Sequence, residues 1–196
     1  MELNTSIVRS AILPGRAAFD PDAALVAAAK ADPEAFVALY DRYFDQVFGY
    51  VRLRIGDRPT SKDVTSQVFV TALAKLDGFR GRGPFAAWLF RIARNAVRSE
   101  QRRRRPVGDA EALLAGLAAA DADPAEVALA RERWARLHAA IAGLGRDEQH
   151  LLALRYGAGM SFEEVANSLG IAPGAARVRV HRVIEQLRRR YPDDAR

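Results

Sequence analysis

Arginine recurs at Arg91, Arg94, Arg98 and Arg102, at three- and four-residue steps within the stretch from Phe79 to Arg105. On a helix these positions stack along one face, where their fixed charges can neutralise a phosphate backbone. Just ahead lies a glycine-rich loop, Phe79, Arg80, Gly81, Arg82 and Gly83, which carries an aromatic ring suited to stacking on a base. Asn95 adds an amide at the edge of the stripe. A solvated surface helix can show the same arginine spacing. The loop at one end and the run Arg102 to Arg105 at the other set this stretch apart. The chemistry on offer is non-covalent binding of nucleic acid.

A second constellation follows Pro173, where Arg177, Val178, Arg179, His181, Arg182, Arg188 and Arg189 fall on the outer face of a helix whose inner face is Ala176, Val180, Val183 and Leu187. Side chains near the start of such a helix reach base edges in the major groove, and arginine forks onto guanine. The alternative is an ordinary helical hairpin with solvated arginines. Agreement of cap, turn glycine, core period and basic face favours DNA recognition.

The remaining composition excludes much else. The formal net charge is +6 with a pI near 10.1, and the excess is mostly arginine, which fits a phosphate-rich partner. With no cysteine and three scattered histidines, neither disulfides nor a metal site is expected, and no cofactor or small-molecule substrate is implied. An acid-base, nucleophile or metal constellation is missing, which argues against a nucleic-acid-modifying enzyme. No apolar run approaches the ~20 residues of a membrane span, and the N-terminus lacks a signal pattern. A cytoplasmic protein without membrane insertion is expected.

The elements that must position these residues are all helical. Residues 1–20 show no clear period beyond a Pro14-Gly15 breaker and read as a flexible arm. Asp20-Pro21 resembles a cap and first-turn proline ahead of a helix at Ala23 to Lys30. Phe36, Leu39, Tyr40, Tyr43, Val47, Phe48 and Val51 form an aromatic core stripe. After a turn at Asp57 to Pro59, Val64, Val68, Phe69, Leu73 and Leu76 form another buried face, with Asp63, Ser66, Gln67 and Thr71 outside. The arginine helix, with Phe85, Trp88, Leu89, Ile92, Ala93 and Ala96 facing inward, closes a first all-α domain.

Residues 106–124 hold no lysine or arginine but include Asp109, Glu111, Asp121 and Asp123, and read as an acidic linker. A second helical unit follows, with Trp134, Leu137 and Ile141 on one side and Asp147 as a cap. Ser161 to Glu164 is a capping box, Gly170 makes a tight turn, Ile171 plugs the junction and Pro173 starts the basic helix: helix-turn-helix spacing.

A helical domain ending in FRG-x-G-x-F-x-x-W-L-F-R-I-A-R-N, an acidic tether and a helix-turn-helix domain, in that order, resemble the extracytoplasmic-function group of bacterial sigma-70-family initiation factors. The resemblance implies region 2 at residues 21–105 and region 4 at 125–196. It implies core RNA polymerase as partner, through the β′ clamp helices and the β flap, together with promoter DNA and an anti-sigma factor. Asp63, Ser66, Gln67 and Phe69 would then meet the clamp. Phe79, Arg80, Gly81, Arg82, Gly83 and Asn95 would capture a flipped base of the -10 element, with Arg91, Arg94 and Arg98 on the backbone or melted strand. Arg177, Val178, His181 and Arg182 would read the -35 element, with Ala175 and Arg179 at phosphates, and the tether would follow the RNA exit path. This chain departs from the family pattern at Ser66-Gln67, where a Gln-Glu pair is usual, at Gly83 for serine, at Ala175-Ala176 for threonine-valine and at Leu144-Gly145 for Leu-Pro. A stand-alone helix-turn-helix repressor or activator is the alternative, distinguished by tight duplex binding without polymerase.

Overall fold

The computed structural model describes residues 20–103 and 124–190. The arm, the acidic linker and Arg104 to Arg105 therefore lie outside the described residues, apart from Asp20 and Pro124. Eight α-helices make up the described parts: α1 (Ala23–Ala31), α2 (Phe36–Ile55), α3 (Arg58–Lys75), α4 (Phe85–Arg103), α5 (Pro124–Ala142), α6 (Arg146–Leu152), α7 (Phe162–Leu169) and α8 (Pro173–Arg190). The all-α expectation holds.

In the first unit, α2 is the central post, packed by α1, α3 and α4. Leu39, Val47, Tyr50 and Val51 are fully buried along it, and Val68, Ala72, Leu89, Ala93 and Val97 meet them from α3 and α4. Each such large apolar side chain contributes about 1.5–3 kcal/mol by leaving water. A buried polar anchor ties α1 to α2: the Asp22 carboxylate accepts from the Tyr43 hydroxyl and lies 2.9 Å from Arg42 Nε. Burial, then the Asp22 carboxylate, push the Tyr43 phenol well above its ordinary pKa. Asp57 caps α3 by accepting from the Thr60 amide at 2.9 Å, a contact worth about 1 kcal/mol in such positions.

Four details differ from the sequence-based expectation. Leu73 is 42% exposed; Ala72, with its smaller volume, takes the inward position instead. Tyr40, placed in the core stripe, is 37% exposed. Phe90 and Val97 join the buried face of α4: Phe90 meets the Tyr50 ring of α2 at 5.4 Å, and Val97 continues the inward row of Leu89 and Ala93. Asp20 does not cap α1 directly: Oδ1 accepts from the Asp22 amide at 3.1 Å, while Oδ2 accepts from the Phe85 amide at 3.0 Å and so caps the distant α4.

The second unit is built on local signals. Ser161 Oγ accepts from the Glu164 amide and Glu164 Oε2 accepts from the Ser161 amide, the reciprocal cap read from the sequence. Gly170 ends α7 at φ 66°, the left-handed region that glycine enters without a Cβ penalty. Ala176, Val180, Val183 and Leu187 are buried as expected. The cap of α6 is displaced from Asp147 to Gly145, whose amide donates to Glu148 Oε2 at 2.8 Å. Asp147 is two residues past the cap position, which leaves its carboxylate available elsewhere. A π turn, Ala153–Gly157, continues α6.

The two units are docked, and their buried side chains form one connected cluster. Where α2 crosses the π turn, backbone meets backbone: a Cβ on Gly49 would lie 2.0 Å from the Gly157 carbonyl oxygen, and one on Gly157 would lie 2.6 Å from the Gly49 oxygen. Only glycine at both positions permits this approach. At the end of α2, Trp134 Nε1 donates to the Gly56 carbonyl at 3.1 Å, and the Arg52 guanidinium lies 4.6 Å over the Trp134 ring.

Candidate nucleic-acid interface

The first basic face rises from α4 and the loop before it. Arg91, Asn95 and Arg98 are exposed, Arg94 is half-buried, and Arg80, Gly81 and Arg82 project from the loop. Gly81 sits at φ 62°, so the turn that offers the two arginines uses a conformation most residues avoid. Phe79, Arg80, Arg82, Gly83, Trp88 and Arg91 line a cavity of about 610 Å³ together with Arg94. Asn95 and Arg98 lie further along α4, beyond the cavity's lining residues.

Phe79 itself is only 8% exposed. Its ring packs against Phe85 at 5.8 Å and Trp88 at 5.3 Å, because these neighbours bury an aromatic more favourably than the open loop would. Packed this way it lines the cavity with little ring surface free for stacking. Phe69, expected to meet a protein partner, is also buried. It sits beneath Tyr40, with ring centroids 4.7 Å apart, while Asp63, Ser66 and Gln67 stand outside.

Two residues that sequence reasoning did not single out for this site hold its loop. Lys30 Nζ, from α1, donates to the Phe79 carbonyl at 2.6 Å, and Asp20 caps α4 at the loop's other end. Both act across more than forty residues of chain, so no local pattern announces them.

The second basic face is the outer side of α8. Ala175, Arg177, Val178, Arg179, His181 and Arg182 are all exposed. The Arg177 guanidinium lies 5.3 Å over the Phe162 ring, whose aromatic face also meets Arg155 at 5.0 Å. The first turn of α7 thereby orients a side chain on the next helix.

Between the faces lies a buried titratable pair. The Tyr50 hydroxyl is 2.8 Å from His150 Nδ1, with the two rings edge to face. Burial, then the nearby Arg94 and Arg54 charges, push the imidazole down to about 3. Burial pushes the Tyr50 phenol up to about 12 against the opposing pull of Arg54 and Arg94. Arg54 is itself buried and its pKa is lowered by that burial. Both partners of the pair are therefore neutral over the physiological range. Among the described residues there is no group of three or more metal-ligating side chains, and no helix is long and apolar enough to cross a membrane.

A helical unit with an arginine-striped last helix, followed by a helix-turn-helix unit with an exposed basic second helix, defines a protein that holds nucleic acid at two places. Comparison with known proteins makes this particular. Residues 39–107 match Sigma-70 region 2, and residues 140–189 match Sigma-70, region 4. The chain is 36% identical over 190 residues to the ECF RNA polymerase sigma factor BldN of Streptomyces coelicolor, spanning 92% of this chain and 71% of the relative. It is 32% identical over 169 residues to the ECF RNA polymerase sigma-E factor of Escherichia coli, spanning 81% and 87%. Among solved structures, CnrH in complex with the cytosolic domain of CnrY is similar at a TM-score of 0.66 and 29% identity, over 90% of this chain and all of that one.

The chain belongs to the ECF sigma factors of the sigma-70 family. It binds core RNA polymerase and directs promoter-specific transcription initiation, with regions 2 and 4 recognising the -10 and -35 elements.

Proposed function

We propose that residues 21–105 and 125–196 are the working limits of the two regions, and that each uses the basic face described above. The observation that carries this reading is that both faces stand on helices whose opposite sides are fully buried. The positions that contact DNA are thus held by the core. In region 2, Arg80, Arg82 and the glycine turn admit an unpaired base of the -10 element to the cavity, with Gly81 and Gly83 allowing close approach. Asn95 supplies hydrogen bonds, while Arg91, Arg94 and Arg98 track the strand. Extracting a base costs a few kcal/mol, which stacking and amide contacts offset. The departure of Phe79 from its packed position, or stacking on the exposed part of Trp88, provides the ring.

In region 4, Arg177, Val178, His181 and Arg182 read base edges of the -35 element in the major groove, and Ala175 and Arg179 approach phosphates. Asp63, Ser66 and Gln67, supported from beneath by Phe69, meet the polymerase clamp. Exposed Val70 and Leu73 on the same helix extend that face with apolar area. The chain contributes recognition and opening and no covalent chemistry, which belongs to the polymerase, and it works in the cytoplasm. An anti-sigma protein holds it in reserve; CnrH, similar in fold and sequence, is in complex with a protein partner's cytosolic domain.

Asn95→Ala tests the region 2 assignment. Association with core polymerase is expected to be unchanged, while strand opening, followed by reactivity of unpaired thymines, falls on matched promoters. Normal opening would remove Asn95 from the site.

A further inference from the structure

We propose that Asp20 and Lys30, one just ahead of α1 and the other in its last turn, are positioning residues that set the base-capturing loop of region 2 and so govern promoter opening without touching DNA. This rests on reading the adjoining cavity as the -10 site. The middle of the loop gains no support at its glycines: a Cβ built on Gly81 or Gly83 would meet no atom within 4 Å, and Arg80 and Arg82 are exposed. Its placement is therefore decided at its ends, Phe79 and Phe85, whose side chains are buried.

Each end of the loop is also the end of a helical segment, where backbone groups lack helical partners. A 3-10 turn, Leu76–Gly78, finishes the α3 side, and α4 begins at Phe85 on the other. Lys30 Nζ donates to the Phe79 carbonyl at 2.6 Å and reaches the Asp77 carbonyl at 3.4 Å, while the Asp20 carboxylate accepts from the Phe85 amide at 3.0 Å. A cation thus meets the carbonyl end and an anion the amide end, the order that the helix dipoles favour. Both charges belong to one nine-residue helix and its entry, and Asp22, held by Tyr43 and Arg42, fixes that entry to α2. The span between the loop's ends is set by this brace. Without it the loop samples several placements, and a competent fraction of ~10–30% lowers apparent affinity for an extracted base about three- to tenfold.

Lys30→Met and Asp20→Ala test the brace in the full chain with core polymerase, on a promoter that the unmodified chain opens. Both variants are expected to associate with polymerase normally and to lower opening, read as permanganate reactivity of unpaired thymines, about three- to tenfold. Lys30→Arg, which keeps a donor, and Asp20→Asn, which keeps an acceptor, should restore it. In the free chain, amide exchange at residues 79–85 should quicken while the core of α2 keeps its protection, which also shows that the variants fold. A direct phosphate contact behaves differently: losing one changes the logarithmic salt slope of promoter binding by about 1, so a change of that size in Lys30→Met overturns the positioning role. Normal opening in both variants, lowered opening without quicker exchange in the loop, or failure of Lys30→Arg to restore opening overturns it too. Asn95→Ala, run in parallel, separates the brace from the reading beneath it. Lowered opening there, with normal opening in Lys30→Met and Asp20→Ala, overturns the brace alone, whereas normal opening in all three removes the -10 site and the brace with it.

Discussion

Helices α4 and α8 carry similar arginine stripes and opposite circumstances. The α4 stripe begins at a loop pinned by Lys30 and Asp20 from the far end of its unit, and Arg94 is engaged by Asp147 of the other unit. The α8 stripe begins one short turn after Gly170, and most of its outer face is open, with Val178 50% exposed. The contrast separates two ways of building a DNA-binding surface. Region 4 needs only local signals, because reading a duplex requires a helix at the right angle. Region 2 uses a loop, a cavity and long-range staples, which is what the proposed capture of an extracted base would require: an enclosed space whose walls come from several elements.

The largest expected effect strikes the open side of this contrast. Arg182→Ala should cost about 1–3 kcal/mol of discrimination at one upstream base pair if that side chain makes a bidentate contact. Initiation across a set of upstream variants measures it. Equal use of all variants, in the mutant as in the parent, would reduce α8 to a non-specific cationic surface and erase the difference from α4.

A change of pH acts on the covered side. His150 is held near 3 while docked, by burial, Arg94 and Arg54, and returns toward 6.5 when the contact between the units opens. The docked state thus excludes a proton that the open state binds. Docking is at full strength above about pH 6.5 and weakens by about 1.4 kcal/mol for each pH unit below it. Energy transfer between dyes on Lys62→Cys and Arg189→Cys, one exposed position in each unit, should fall between about pH 6.5 and pH 5, and His150→Phe should flatten that dependence. An unchanged profile in the variant would assign the titration to another group.

The smallest effect sharpens the local-versus-distant distinction. Ser161→Ala removes one half of the reciprocal cap and should destabilise α7 by about 1 kcal/mol. Amide exchange should quicken in α7 and α8 while the core of α2 keeps its protection. Equal loss in both units would mean that they unfold as one block.

The same distinction explains what could be read from the chain alone. The reciprocal cap at Ser161 and Glu164, the turn at Gly170 and the inward period of α8 are each complete within a few residues, so they were legible. So were the apolar periods that set α2, α3 and α4, whereas Asp57, read as part of a turn, caps α3, and Asp20 caps α4 from 65 residues away. The partner of Asp147 lies 53 residues away, and a cap assignment was the best local account of its carboxylate. Gly49 and Gly157 carry no signal in isolation; their meaning is a crossing between two backbones. Phe79 showed its ring in the sequence, but its burial against Phe85 and Trp88 depends on how the loop folds back. The two basic faces could be found from spacing, whereas their mutual docking could not, because it arises from surfaces that meet only after each unit has folded.

The most direct measurement of the central claim is initiation by purified core polymerase on a library of genomic fragments, with the intact chain and with each face altered in turn. Start sites preceded by two separated sequence blocks are expected. Selection at the upstream block should be lost in Arg177→Ala with Arg182→Ala, and opening at the downstream block should be lost in Asn95→Ala. Start sites that do not depend on the chain, or the same promoters chosen whichever face is altered, would contradict the account.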